Sequence, residues 1–446
     1  MTTVTTPAPK TVDAFSQRRQ RLMESVGERG AALFFSAPEL IRSNDSTFDF
    51  RQNSDLWYLT GFEEPESALL LLPGHPTHPV VLFVRKRDRE RETWDGLRAG
   101  VEGAKEQHGA NEAFVIEELD AKLPELLEGR DRLYYGLGLY ADRDGQVVRA
   151  LTKARGHSKR GKRTPRELFD PGHLLHEMRL FKSKAELETL RQAIDVSAAG
   201  HVRAMQVTRP GKGEWELQAE IEYAFRRAGA KAPGYTTIVG SGANACTLHY
   251  VLNRKRMEAG ELVLVDAGAE VGYYTGDITR TWPVSGTFTG PQREVYDLVL
   301  RAQQETIAIA KPGLPWSALH EKSVRVLTEG MVDRGILAGP ADKAIEEKTF
   351  RAWYMHNTGH WLGIDVHDVG AYYEEEQSRK LEPGMVFTVE PGLYFSPDAP
   401  NVPARWKGIG VRIEDDILVT ETGCEVLSKG APKEPHEIEA LVGSGA

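Results

Sequence analysis

Two apolar runs in this chain end on an acid. Residues 262–267 read LVLVDA and residues 385–391 read MVFTVEP, so Asp266 and Glu390 stand where segments suited to burial stop. A second strand-like run with an acid follows each: GDITRTWPV carries Asp277, and GVRIEDDILV carries Glu414. An unpaired buried carboxylate is costly enough that it neutralises or is excluded, so these acids need partners. The stretches around them repeat. EAGELVLVDAG (258–268) aligns with EPGMVFTVEPG (382–392) without a gap, which matches Asp266 with Glu390. If the two copies face each other across a pseudo-two-fold, Asp266, Asp277, Glu390 and Glu414 converge. Close carboxylates raise one another's pKa, and a pair of divalent cations would resolve the repulsion. Such a pair makes a hydrolytic centre in which a shared water loses a proton near neutral pH. Oxygen-rich ligation suits Mn²⁺ or Mg²⁺, and one imidazole moves the balance toward Mn²⁺, Co²⁺ or Zn²⁺. Of the 13 histidines, His356, His360 and His367 cluster in MHNTGHWLGIDVHD and are the candidates for that imidazole.

The elements that must position these groups follow from pattern. Ser183 and Glu186 have the spacing of a capping box. Leu187, Leu190, Ile194, Ala198, Val202 and Met205 then recur at helical intervals, up to a stop at Pro210-Gly211. A second helix carries Leu217, Ile221 and Phe225 and ends near Gly229. RPGKGEW before that helix is echoed by KPGLPWSAL before another that meets Gly335. The repeating unit is therefore a helix plus a hairpin. Upstream, AALFFS (31–36), SALLLLPG (67–74), PVVLFVR (79–85) and RLYYGLG (132–138) read as strands, and AFVIEELDAKLPELLEG (113–129) reads as a helix. The mixture predicts an α/β domain. The basic stretch TKARGHSKRGKR (152–163) has no apolar period and reads as an exposed loop rather than a nucleic-acid patch, which would need aromatic or groove-reading context.

Bulk properties narrow the class. A chain of 446 residues exceeds one ordinary core, which favours two domains. The net charge of -9 argues against nucleic acid as the main partner. Two cysteines can build neither a disulfide framework nor a four-thiolate zinc site, which suits a cytoplasmic chain. The start, MTTVTTPAPKTVDAF, lacks a basic region followed by an apolar run, so it reads as a frayed tail rather than a secretory signal. No run of about 18 apolar residues predicts a membrane span.

At the acids and histidines the sequence resembles the pita-bread metallopeptidases, and within them the bacterial Xaa-Pro aminopeptidases, or aminopeptidase P family. IVGSGANACTLHY, LVDAG, GDITRTWPV, MHNTGHWLGIDVHDVG, EPGMVFTVEPGLY and GIGVRIEDDILVT carry the likeness in the later part of the chain. RQNSDLWYLTGFEEPESALLL and HEMRLFKS carry it in the earlier part, and it spans about residues 15–440.

The resemblance implies an α+β chain: a disordered tail over 1–14, an N-terminal α/β domain with a mixed sheet over 15–178, and a pita-bread catalytic domain over 179–446. That catalytic domain is a curved antiparallel sheet with helices outside it. It implies that Asp266 chelates one ion, that Asp277 and Glu414 bridge two, and that His360 and Glu390 complete the other. The family's usual metal is manganese. The implied reaction is hydrolysis of the bond between an N-terminal residue and a following proline by a metal-bound hydroxide, so the partners are peptides with proline second. Glu390 would move the proton, and His367 would bind the carbonyl oxygen as charge develops. His249 and His356 would line the proline side, with Arg412 and Tyr394 near the product groups and Trp94 closing the pocket. Relatives assemble as homodimers or homotetramers. An Xaa-Pro dipeptidase (prolidase) shares all five ligands and is the nearest alternative. A methionine aminopeptidase normally lacks so large an N-terminal domain. A metal-free binding domain would have lost ligands, and none is lost.

Overall fold

A computed structural model describes residues 11–157, 161–400 and 402–445. Of the tail expected over 1–14, residues 1–10 lie outside the described set, and helix α1 (Thr11–Val26) already begins at 11. The chain divides into two compact units, one ending at Met178 and the other running from Arg179.

The N-terminal unit is built on a six-stranded mixed sheet. Its strands are β1 (Gly30–Phe35), β4 (Ala68–Leu71), β5 (Val80–Val84), β6 (Glu112–Val115), β7 (Arg132–Tyr134) and β8 (Glu167–Phe169), in the order β6-β5-β4-β1-β7-β8. A small hairpin, β2 (Ile41–Ser43) with β3 (Ser46–Thr47), stands apart from it. β1–β4 and β4–β5 are antiparallel, while β5–β6, β1–β7 and β7–β8 are parallel. β1, β4 and β5 are buried along their whole length, which is why they read as continuous apolar runs. Helices α2 (Ser54–Thr60), α3 (Arg89–Asp95), α4 (Gly100–Glu106), α5 (Leu119–Leu126) and α6 (Ala141–His157) complete this unit, and α7 (Gly172–Leu180) begins in it.

Two readings of this region are corrected. Residues 113–129 are not one helix: Glu112–Val115 is β6, paired with β5, and α5 begins only after a 3₁₀ turn. Phe114 packs on Phe83 with ring centroids 5.6 Å apart, and that edge pairing outweighs the helical period of the segment. The basic stretch 152–163 is not all loop, since its first part closes α6. Val147, Ala150 and Ala154 are buried at helical spacing, so the basic residues ride the outer face of a helix whose apolar stripe starts earlier. Residues 158–160 lie outside the described set.

In the C-terminal unit the capping box forms: Ser183 N–H donates to Glu186 Oε2 at 2.9 Å and starts α8 (Lys184–Val207). α8 ends at Val207, just before the expected stop. It packs on α9 (Glu214–Arg227), as α10 (Gly290–Ile309) packs on α11 (Trp316–Asp333). Two short helices, α12 (Ala341–Glu346) and α13 (Pro435–Leu441), follow. These helix pairs cover one apolar cluster that includes Phe225, Val265, Trp282, Val299 and Val411.

All strand pairs among the described residues of this unit are antiparallel. They form sheets β10 (Ile238–Ser241)–β11 (Leu262–Asp266)–β14 (Thr279–Pro283) and β13 (Tyr274–Thr275)–β12 (Ala269–Val271)–β9 (Ala232–Pro233), and the pair β15 (Tyr373–Glu374)–β16 (Gln377–Ser378). The second half gives β17 (Val386–Val389)–β20 (Asp415–Val419)–β21 (Cys424–Val426) and β18 (Gly392–Phe395)–β19 (Ile409–Arg412). The two halves correspond. β11 pairs with β14 and ends at Asp266, and β17 pairs with β20 and ends just before Glu390.

The halves lock where β14 meets the turn between β19 and β20. Glu414 N–H donates to Thr279 O at 3.0 Å, and Asp277 N–H to Asp416 Oδ2 at 3.2 Å. Arg280 and Asp415, both fully buried, pair across the same seam at 2.7 Å. Gln303 and Ser428 each donate to Asp415 at 2.6 Å, and Lys433 reaches it as well. Burial alone would raise Asp415, but Arg280 and Lys433 hold it well below the usual carboxylate range. Replacing Asp415 with Ala strands a buried guanidinium. The expected outcome is a loss of about 3–5 kcal/mol in a urea unfolding titration of the metal-free protein, whereas an exposed pair such as Arg293–Asp297 should cost under about 1 kcal/mol.

Candidate metal centre and active site

The locked hairpins deliver the acids to one cavity of about 650 Å³. Asp266, Asp277, Glu390, Glu414, His249, His356, His360, His367 and Arg412 all line it. Asp266 closes β11, opposite Thr279. Asp277 leads into β14, Glu390 follows β17, and Glu414 precedes β20. His360 arrives on irregular chain pressed against β17, where Thr388 N–H donates to His360 O at 2.9 Å. Gly359 makes that approach possible, because a Cβ there would lie 1.9 Å from Thr388 O.

Asp266, Asp277, Glu414 and His360 each have an orienting partner. Tyr235 OH lies 2.6 Å from Asp266 Oδ1 and 2.6 Å from Asp277 Oδ1. Arg412 donates to Asp266 Oδ2 at 2.6 Å, and Thr279 OH to Glu414 Oε2 at 2.7 Å. Asp277 turns its other oxygen to His360 Nε2 at 3.3 Å, and Glu390 Oε1 stands 3.6 Å from the same nitrogen. His360 Nδ1 lies 3.0 Å from the Trp361 carbonyl oxygen, which can only accept. One proton therefore sits on Nδ1, which leaves Nε2, facing the acids, as the nitrogen that gives up its proton when a metal binds. One donor atom each from Asp277, His360 and Glu414 lie within 4.8 Å of one another.

The electrostatics state the same problem in energy. Burial, with the charges of Asp277, Glu390 and Asp266, pushes Glu414 well up. Burial, aided by Asp277 and Asp266, raises Glu390 to about 7 against His360 and Arg412. Burial and Asp266 raise Asp277. Burial lowers the His360 imidazole, but the Asp277 hydrogen bond and the charges of Asp277 and Glu390 outweigh it and lift it to about 9. Among the described residues lining the cavity, Arg412 is the one lasting cation, and one guanidinium cannot balance four carboxylates. The donor set fits a pair of divalent cations: mostly carboxylate oxygen, one imidazole, and an excess of negative charge out of reach of bulk water.

The other expected residues divide. His356 Nε2 lies 2.8 Å from Tyr394 OH, and Arg412 donates to the same hydroxyl at 3.1 Å, so Tyr394 stands behind the cavity wall. Burial, with Arg412, lowers His356 to about 3. His249 lies on the chain between β10 and β11, and His367 packs its ring on that of His360 with centroids 4.3 Å apart. Trp94 is in α3 of the N-terminal unit, 82 % exposed, and is not among the lining residues. Tyr235 and Thr279 escaped the sequence reading. Neither has a spacing signal, because each reaches its acids through the fold.

Residues 188–421 match the model of metallopeptidase family M24, and residues 15–134 match the aminopeptidase P N-terminal domain. The chain is 48 % identical over 429 residues to the Xaa-Pro aminopeptidase of Escherichia coli, covering 96 % of this chain and 97 % of that one. It superposes on an aminopeptidase of Pseudomonas aeruginosa with a TM-score of 0.95, at 47 % identity and 99 % coverage of both chains. A zinc-substituted Escherichia coli aminopeptidase P solved with product gives 0.94, at 47 % identity, covering 98 % of this chain and 99 % of that one. Family and donor cluster together make this a chain that binds divalent metal. With both domain models in order along one polypeptide and relatives alike over nearly their full length, the chain belongs to metallopeptidase family M24, in its aminopeptidase P branch.

Proposed function

We propose that the chain is an Xaa-Pro aminopeptidase, a metal-dependent hydrolase that releases the first residue of peptides whose second residue is proline. The observation that carries the reading is the convergence of Asp266, Asp277, His360, Glu390 and Glu414 on one cavity also lined by His249, His356, His367 and Arg412. Those five would hold two divalent ions: Asp266 on one, His360 and Glu390 on the other, Asp277 and Glu414 shared. The ions are most reasonably Mn²⁺, with Co²⁺ or Zn²⁺ able to replace it, and when bound they supply Lewis acidity toward water and the scissile carbonyl.

The protein's own groups do the rest. An Xaa-Pro bond is a tertiary amide without an N–H, so the departing proline nitrogen must be given a proton. Glu390 accepts a proton at its carboxylate from the attacking water and returns it to that nitrogen. His367 hydrogen-bonds the carbonyl oxygen as negative charge grows there. His249 and His356 form the wall against the pyrrolidine ring, and Arg412, held from behind by Tyr394, binds the product's polar groups. The substrate's free amino group lies on the Asp266 side, which limits release to one residue. The proposal includes a homodimer or homotetramer in the cytoplasm, in keeping with two free cysteines, Cys246 and Cys424.

Replacing Glu390 with Ala should lower kcat on Ala-Pro-Ala by about 10²–10⁴-fold under saturating Mn²⁺. Full turnover in that variant would remove Glu390 from the proton path. A substrate pair tests specificity: rapid release of alanine from Ala-Pro-Ala is expected, and cleavage confined to the dipeptide Ala-Pro would make the chain a dipeptidase instead. After chelation, equilibrium dialysis against Mn²⁺ should restore two ions per chain, with fewer retained by Asp277→Asn.

The raised carboxyls also set a pH dependence. Asp277, Glu390 and Glu414 favour their protonated forms in the metal-free chain, and His360 favours its charged form. Protonation therefore stabilises the metal-free protein, and ions must displace those protons to bind. As pH falls from about 8 to about 6, across the Glu390 value of about 7, the metal-free melting temperature should rise and Mn²⁺ affinity should fall. Scanning calorimetry and titration calorimetry would show neither trend over this range if the acids were ionised and independent, because such carboxyls take up no protons between about pH 8 and about pH 6.

A further inference from the structure

His367 is exposed, and among the described residues nothing hydrogen-bonds its ring. Its ring contact with His360 fixes a distance but not an aim. The aim has to come from the backbone, and the next residue is anchored with unusual force. Asp368 is buried, with its side chain 1 % exposed. Arg179 reaches one of its oxygens at 2.6 Å and Lys182 the other at 3.0 Å. Both cations are buried too, and Arg179 also holds Asp365 at 2.7 Å on the near side of His367. Burial alone would raise Asp368, but Lys182 and Arg179 hold it below the usual carboxylate range, so the clamp is ionic at working pH.

The rest of the loop is closed onto that anchor. Asp368 N–H donates to Trp361 O at 2.8 Å, and Leu362 N–H to Val386 O at 3.0 Å on β17. Lys182 N–H donates to Gly384 O at 2.9 Å, which fixes the cation's own backbone beside the same strand. Gly363 leaves the space Asp368 occupies, since a Cβ there would lie 2.0 Å from Asp368 Oδ2. The loop 361–368 thus starts on β17, passes His367 through the cavity wall, and ends in an ion cluster that no part of the proposed chemistry uses.

We propose that Asp368, clamped by Arg179 and Lys182, is the positioning residue that aims the His367 imidazole at the substrate's carbonyl oxygen. The inference rests on the role given to His367 above. Misplacing a catalytic group by about 1 Å costs on the order of 10²-fold, and a clamp of two buried cations on one carboxylate prevents that displacement.

The test is a double-mutant cycle on the Mn²⁺-loaded enzyme: His367→Ala, Asp368→Asn and both together, with kcat and KM on Ala-Pro-Ala, bound metal and melting temperature read for each. Asp368→Asn should lower kcat by roughly 10–100-fold, with KM and metal content unchanged. In the His367→Ala background it should change kcat by no more than roughly twofold, because the residue it aimed is gone. Lys182→Gln, which keeps Asp368 and Arg179, should show the same pattern in milder form and decides the matter if Asp368→Asn does not fold. An equal loss of kcat in both backgrounds would overturn the proposal, as would a loss traced to KM or to metal. Full turnover by His367→Ala alone would instead sink the role of His367 and the inference with it.

Discussion

Mutual repulsion among buried acids is the constraint to which the rest of the C-terminal unit answers. Asp266, Asp277, Glu390 and Glu414 face one cavity where, among the described lining residues, only Arg412 and the His360 imidazolium offset them. The metal-free chain meets that cost by holding protons on the raised acids, and bound cations take the place of those protons. The neutral groups around the acids therefore have a task other than neutralising them. Tyr235 takes one oxygen each of Asp266 and Asp277, and Thr279 takes one of Glu414. Each contact fixes a carboxylate plane, and for Asp277 it leaves the second oxygen turned toward His360. Arg412 is the exception, because it spends a full charge on Asp266 and so makes that acid the one already balanced before any ion arrives.

Holding the acids this close demands strand register rather than flexible loops. Asp266 lies opposite Thr279 on β14, and the Thr279 hydroxyl and carbonyl both engage Glu414 from the other half of the repeat. A slip of one residue would turn every one of these side chains to the opposite face of its sheet. The Arg280–Asp415 pair lies on the other side of the same seam, where it makes such a slip strand two charges in the core. The doubled unit supplies the symmetry, and the ion pair supplies the registration.

This division explains what the sequence could and could not reveal. Asp266 and Glu390 were legible because the repeat sets them at matched ends of matched runs, and an acid that ends a buried strand is chemically out of place. The capping box at Ser183 and the wholly buried strands β1, β4 and β5 were legible because local pattern and burial agree there. Strand β6 was hidden because residues 113–129 satisfy a helical period, and only pairing with β5 decides otherwise. The end of α6 was hidden because its apolar stripe lies before the basic run. Tyr235 could not be found at all: it comes from the chain between β9 and β10, and nothing in APGYTTIVG marks a phenol that will meet two carboxylates.

The run Glu414-Asp415-Asp416 shows how far composition falls short of chemistry. Three adjacent acids look alike on paper, yet a strand sends alternate side chains to opposite faces. Glu414 turns to the cavity, where burial and like charges raise it. Asp415 turns to the seam, where Arg280 and Lys433 hold it down. Asp416 shares the Glu414 side, accepts from the Asp277 N–H and is raised by burial and by Asp277. Glu414 is pushed up beside acids that like charges cannot satisfy, whereas Asp415 is pushed down because its cations lie within the chain. Asp368 belongs with Asp415 on that criterion, since its cations are Arg179 and Lys182. The difference between Glu414 and Asp415 lies in which face of the strand each carboxylate occupies and which charges it meets there, not in its type.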